Sequence, residues 1–231
     1  MFRQRLRVRF DKKGLLRFIS HRDLMRLFER ALRRAGLPLV MSQGYNPHPR
    51  ISFPLALGTG MAGENEVMEF ELQEWLPAAS VREALAREVP PDIALRELRA
   101  VRPGGGSTVT SISYRVRFLE SPDVTEDRVS ALLLRESIPV SRRRKGAEKT
   151  VDIRPFLDRL RLEGDTLLIQ CAVDEGSTTR PEEVLQTLGM NVADWLPRME
   201  MTRVETVLVD RAEKPTGPGR SSNRRGPQTK G

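Results

Sequence analysis

The sequence predicts an α+β protein made of two tandem ferredoxin-like halves, each running βαββαβ, and three observations carry that expectation. Apolar and charged residues alternate over Leu6-Arg7-Val8-Arg9-Phe10, the period of a half-buried strand. Nearly the same letters return later in the chain as Tyr114-Arg115-Val116-Arg117-Phe118. Between them, Pro103 followed by Gly104, Gly105 and Gly106 marks a break. The expected division is a first half over residues 1–101, a linker over 102–110, a looser second half over 111–210 and a tail over 211–231.

Each element has its own signal. Ser20 is a helix N-cap with Asp23 three residues on, and Leu24, Leu27, Phe28, Ala31, Leu32 and Ala35 follow helical spacing until Gly36 stops the turn. A short strand is expected at Ile51-Ser52-Phe53. Another follows where Val67, Glu69 and Glu71 alternate with Met68, Phe70 and Leu72, then a helix over 77–88 and a closing strand over 93–101. The second half repeats the plan with a helix near 125–135, strands near 138–140, 149–153 and 167–173, a helix over 181–188 and a strand within 201–209. An additional short helix is expected over 154–160. From Ala212 onward Pro, Gly, Ser, Asn and Arg predict a disordered basic tail.

The chain of 231 residues is long enough to bury a core unaided. Lys and Arg number 39 against 31 Asp and Glu, so the formal charge of +8 favours polyanions, nucleic acid first and anionic membrane surface second. A lone cysteine, Cys171, excludes an internal disulfide and a cysteine-held metal cluster, and no cofactor is expected. The charged start lacks an apolar leader, and no apolar run approaches the ~20 residues that span a bilayer. A cytoplasmic protein with no membrane partner is the expectation.

Alternation sends Arg3, Arg5, Arg7 and Arg9 to the face opposite Leu6, Val8 and Phe10, which is the open face of a ferredoxin-like sheet. Arg115 and Arg117 join them if the second copy holds. Guanidinium groups pair bidentately with phosphates, so this face is a candidate RNA surface. The other reading is ion pairing with Glu69 and Glu71, or contact across the interface between the halves. Aromatics are 5% of the chain and none interleaves with these arginines, which favours a folded RNA over a stacked single strand. Arg22, Arg26, Arg30 and Arg33 share an arc of the first helix, and Arg142, Arg143, Arg144 and Lys145 form a run at a hairpin turn. Both are further phosphate-contact candidates, beside a solvated face as the plain reading. The loop Gly44-Tyr45-Asn46-Pro47-His48-Pro49-Arg50 is held by its prolines. It is either a structural hairpin or a site with His48 as acid or base and Tyr45 or Arg50 orienting a ligand. His21, the other histidine, opens the first helix, where exposure is the plain expectation.

Taken in order, Ile19-Ser20-His21-Arg22-Asp23-Leu24, the loop from Gly44 through Ile51-Ser52-Phe53, Val151-Asp152-Ile153-Arg154-Pro155 and Arg180-Pro181-Glu182-Glu183-Val184-Leu185 resemble the bacterial family labelled radical SAM-linked protein. Members of that family, a domain of unknown function, are similar to stand-alone proteins or to extensions of cobalamin-binding radical SAM proteins, often encoded beside ribonucleases of the E/G type. The resemblance implies association with such an enzyme on an RNA substrate. It supplies no catalytic residue, and one cysteine does not hold a radical SAM cluster. The expected function is an RNA-binding accessory protein without catalysis of its own. The alternatives are a protein-interaction module for a radical SAM partner and a metal-independent endoribonuclease using His48 or His21.

Overall fold

The computed structural model describes residues 3–102, 106–144 and 146–210, and of Arg144 the backbone alone. In chain order the elements are β1 (Gln4–Lys12), α1 (His21–Arg34), β2 (Ile51–Ser52), β3 (Ala62–Leu72), α2 (Ala78–Ala86), β4 (Ile93–Val101), β5 (Ser107–Phe118), α3 (Glu126–Leu133), β6 (Pro139–Arg144), β7 (Ala147–Asp152), β8 (Leu157–Glu163), β9 (Thr166–Ala172), α4 (Pro181–Thr187), α5 (Val192–Trp195) and β10 (Met199–Asp210). The architecture is α+β, organised on one large mixed sheet in the order β4-β1-β3-β10-β5-β9-β8, with β2 added to β3 and β6-β7 standing apart as a hairpin. Sheet neighbours are antiparallel except where β10 meets β3, a parallel pairing of Thr202 with Ala62 and Arg203 with Gly63. That junction joins the strands of the two halves. Among the described residues, no helix is long and apolar enough to cross a membrane.

Local chemistry explains the elements. Ser20 Oγ accepts from the Asp23 amide at 3.2 Å, capping α1, and the helix buries Leu24, Phe28, Ala31 and Leu32. Those side chains pack with Leu6, Val8 and Phe10 of β1 in a core confined to the first half. The second core gathers Ile112, Val116, Phe118, Leu167 and Ile169 beneath Val184 and Leu185 of α4. Leu57 and Met61, on the connection between β2 and β3, belong to that second core. The first half therefore reaches into the second with apolar side chains as well as with the sheet.

Two expectations are corrected. Residues 154–160 do not form a helix: Arg154–Phe156 make one 3-10 turn and β8 begins at Leu157. Asp152 Oδ1 accepts from the amides of Ile138 at 2.8 Å and Arg154 at 3.0 Å, turning the chain at Pro155. After it Leu160 and Leu162 are buried while Arg159 and Arg161 are exposed, the alternation of a strand. The second correction is to the linker, because β5 starts at Ser107, which pairs with Asp210 of β10, and Val109 is buried. The remainder of the glycine stretch, 103–105, and the expected tail over 211–231 lie outside the described residues.

Candidate functional site

Arg3, Arg5, Arg7 and Arg9 all stand beside carboxylates, and Arg7 alone among them is buried. Arg7 is 3% exposed and donates from Nε to Glu69 Oε1 at 2.7 Å, and it also pairs with Ser107 and Asp210 at the ends of β5 and β10. Arg5 pairs with the same Glu69, and Arg9 reaches Glu205 of β10 at 3.4 Å and the Thr206 carbonyl at 3.4 Å. Arg3 approaches Glu71 at 3.8 Å. These are the ion pairs that sequence reasoning set against RNA contact, together with contacts across the interface between the halves. Burial pushes the Glu69 carboxyl up, but hydrogen bonds from Ser107, Arg7 and Arg5 outweigh it and hold its pKa below the usual value. Arg115 and Arg117 are more open, the first 2.8 Å from Glu64 and the second 4.0 Å from Glu200.

The opposite side of the junction holds a second ionic clamp. Arg203 of β10, 2% exposed, makes a two-pronged pair with Glu66 of β3 and donates to the carbonyls of Leu55 at 3.0 Å and Ala56 at 3.1 Å. Burial opposes the Arg203 charge, yet Glu66 and Tyr114 prevail and raise its pKa. Lys12, 1% exposed, is pulled below the usual lysine value by burial, partly offset by Glu66. His21 Nδ1 is buried without a hydrogen-bond partner among the described residues, and its ring stands edge-on to Phe53 at 5.2 Å. Burial, then the nearby Arg203 and Lys12 charges, lower its pKa and favour a neutral imidazole. The expected exposed histidine is thus half-buried beside an ionic cluster.

Tyr114 and Arg203 form the floor of a cleft of about 780 Å³ between the halves. One wall is the connection carrying Leu55 and Met61, and the other comes from β6 and the start of α4. Arg142 of β6 donates to both oxygens of Glu183 at 2.7 and 2.8 Å and to the Thr178 carbonyl at 2.6 Å, fastening the hairpin to α4. The exposed guanidinium groups of Arg143 and Arg180 have no carboxylate partner among the described residues, although the Arg180 amide donates to Glu183 Oε2 at 2.9 Å. Burial pushes the Tyr114 phenol up to about 12, so it stays a hydroxyl at neutral pH. Burial does the same to the Cys171 thiol, also about 12, which removes it as a nucleophile.

The other sequence candidates are scattered. On α1, Arg22, Arg26, Arg30 and Arg33 are exposed, and among the described residues only Arg26 has a carboxylate partner, Asp23 at 3.5 Å. Gly44, Tyr45, Asn46, Pro47 and His48 form the tip of a hairpin closed by Ser42 N to the His48 carbonyl at 2.8 Å and Arg50 N to the Val40 carbonyl at 2.9 Å. His48 Nδ1 lies 3.1 Å from Ser42 Oγ, Pro49 is buried, Tyr45 is wholly exposed and Arg50 sits 3.6 Å from Glu71. The loop is a hydrogen-bonded hairpin, and His48 and Arg50 also line a small pocket of about 240 Å³ with Arg5, Glu69 and Glu71. His48 and His21 lie in different surroundings, and no acid–base pair joins them. Lys145 and the side chain of Arg144 lie outside the described residues. Sequence reasoning missed Arg203, Glu66 and Tyr114. A signal was present: Arg203 continues the buried register of Met199 and Met201, and Glu66 that of Met68 and Phe70, so both are charges at core positions.

The family model described as "Uncharacterized protein conserved in bacteria (DUF2344)" matches residues 5–182, and the chain belongs to that family. None of the curated proteins matches it. Among solved structures it is similar to a chain of the "Crystal Structure of a Cbf5-Nop10-Gar1 Complex", with 12% identity and a TM-score of 0.43. The likeness covers 87% of this chain and 48% of that one, so this chain spans about half its length.

Proposed function

We propose that this family member is a cytoplasmic RNA-binding accessory protein that presents a structured RNA to a radical SAM or ribonuclease E/G-type enzyme and performs no catalysis of its own. The observation that carries this reading is the row Arg22, Arg26, Arg30 and Arg33, exposed along α1 with three of the four unmatched by a carboxylate among the described residues. Steps of four, four and three residues keep the row on one side of the helix, and at 1.5 Å per residue it spans ~16 Å. Such a row suits successive phosphates of a folded RNA, read through the backbone without a base-stacking platform. The β1 arginines serve the scaffold instead. Tandem ferredoxin-like halves are part of this reading, supported by strand orders β4-β1-β3-β2 and β10-β5-β9-β8. The radical SAM partner rests on the motif resemblance, and on a single cysteine in the chain, too few for a cluster.

The test replaces Arg22, Arg26, Arg30 and Arg33 together with glutamine and measures affinity for a tRNA-sized RNA across a salt series. The expected result is weaker binding and a log–log salt slope reduced by about 3–4, close to one per lost phosphate contact. An unchanged slope in a folded variant overturns the reading.

A further inference from the structure

We propose that the cleft between the halves is a binding site for a nucleoside phosphate. The cavity, about 780 Å³, is of the size that encloses a small ligand. Its two sides differ in chemistry. Leu55, partly exposed over the nearly buried Met61 and Tyr114, gives the cleft an apolar patch for a planar base, whereas Arg143 and Arg180 line it with guanidinium groups that no carboxylate engages among the described residues, beside a partly exposed Glu182. Guanidinium donors match phosphate oxygens in geometry and charge. Two other arginines of the cleft are already committed, Arg142 to Glu183 and Arg203 to Glu66, so they hold the walls in place with their charges balanced by those carboxylates. The cleft thus pairs a fixed apolar patch with two available cations, the division of labour a nucleotide requires. This site is separate from the α1 row and does not depend on it.

Calorimetric titration of the full chain with AMP, GMP, CMP and UMP, with the matching nucleosides, with inorganic phosphate, and with 5′-phosphorylated and 5′-hydroxyl octaribonucleotides tests the proposal. At least one nucleotide, or the phosphorylated octamer, is expected to bind about tenfold or more tighter than its phosphate-free counterpart and than inorganic phosphate. The double variant R143Q/R180Q is expected to weaken that binding by about tenfold or more with an unchanged melting temperature, and the α1 quadruple variant to leave it intact. Binding by mononucleotides identifies a free nucleotide as the ligand, and binding by the phosphorylated octamer alone identifies an RNA terminus. Absence of phosphate-dependent binding, equal affinity for inorganic phosphate, or indifference to R143Q/R180Q overturns the proposal. Loss of RNA salt dependence in the α1 variant has no bearing on it, so the two readings fail separately.

Discussion

Arg7-Val8-Arg9 in β1 and Arg115-Val116-Arg117 in β5 both turn their valine into a core and their arginines to the other face of the sheet, yet Arg7 keeps 3% of its side chain exposed and Arg115 keeps 41%. The spelling is shared and the surroundings are not. The paired ends of β5 and β10 bring Ser107, Glu205, Thr206 and Asp210 against the β1 arginines, while the β5 arginines meet only partly exposed Glu64 and Glu200. A buried ion pair whose partner is removed leaves an uncompensated charge, whereas a pair in solvent costs little to break. The same motif is therefore structural in one half and close to neutral in the other.

The largest effect is expected at the clamp on the opposite side. Arg203→Ala strands Glu66, 4% exposed, and is expected to lower the unfolding free energy in urea by about 3–5 kcal/mol. A loss near 1 kcal/mol would mean that water reaches Glu66 and the clamp is not buried. Next comes the direct contrast: Arg7→Ala takes one of two arginines from Glu69, 1% exposed and still held by Arg5 and Ser107, and is expected to cost about 1–3 kcal/mol, against less than ~1 kcal/mol for Arg115→Ala. Equal losses would break the comparison between the strands.

The acid limb of stability sharpens it further. Folding lowers the pKa of Glu69 beneath its ordinary 4.5, so as pH falls the unfolded chain takes up protons before the folded one does. The stabilisation is complete above that ordinary value and is lost as pH falls through the native value. Asp210, held low chiefly by its hydrogen bond from Arg7, titrates in the same direction. Melting temperatures of the wild type are expected to drop steeply on acidification, with a shallower drop in Glu69→Gln. Parallel curves would show that the β1 cluster does not govern the limb. The smallest effect is expected from Arg117→Ala, within about 0.5 kcal/mol, since its contact to Glu200 is long and exposed.

Much of the first half was legible because its signals are local. The Ser20 cap, the apolar stripe of α1 and the alternation of β1 each depend on residues within a turn or two, and β4 runs over 93–101 as expected. The 154–160 segment was not legible as a strand, because Pro155 sits in a single 3-10 turn and the alternation of Leu160-Arg161-Leu162 falls mostly past the segment's end. Of the candidate cleft, Arg142 and Arg143 were visible as a charge run, and Arg180 only as part of a motif. Its floor was hidden, since Tyr114, Arg203 and Glu66 come from β5, β10 and β3, brought together by pairings between strands distant in the chain.

By itself the sequence determined which side of β1 carries charge, where α1 begins and ends, and that the net field is positive, because each follows from periodicity, capping or a sum over residues. Only the tertiary structure decided what the charges meet. Whether an arginine becomes a clamp or a free donor depends on which strand end crosses it, and burial then sets the cost of separating the pair. That is why Arg7 and Arg203 hold the halves together while the exposed guanidinium groups of Arg22, Arg143 and Arg180 meet no carboxylate among the described residues.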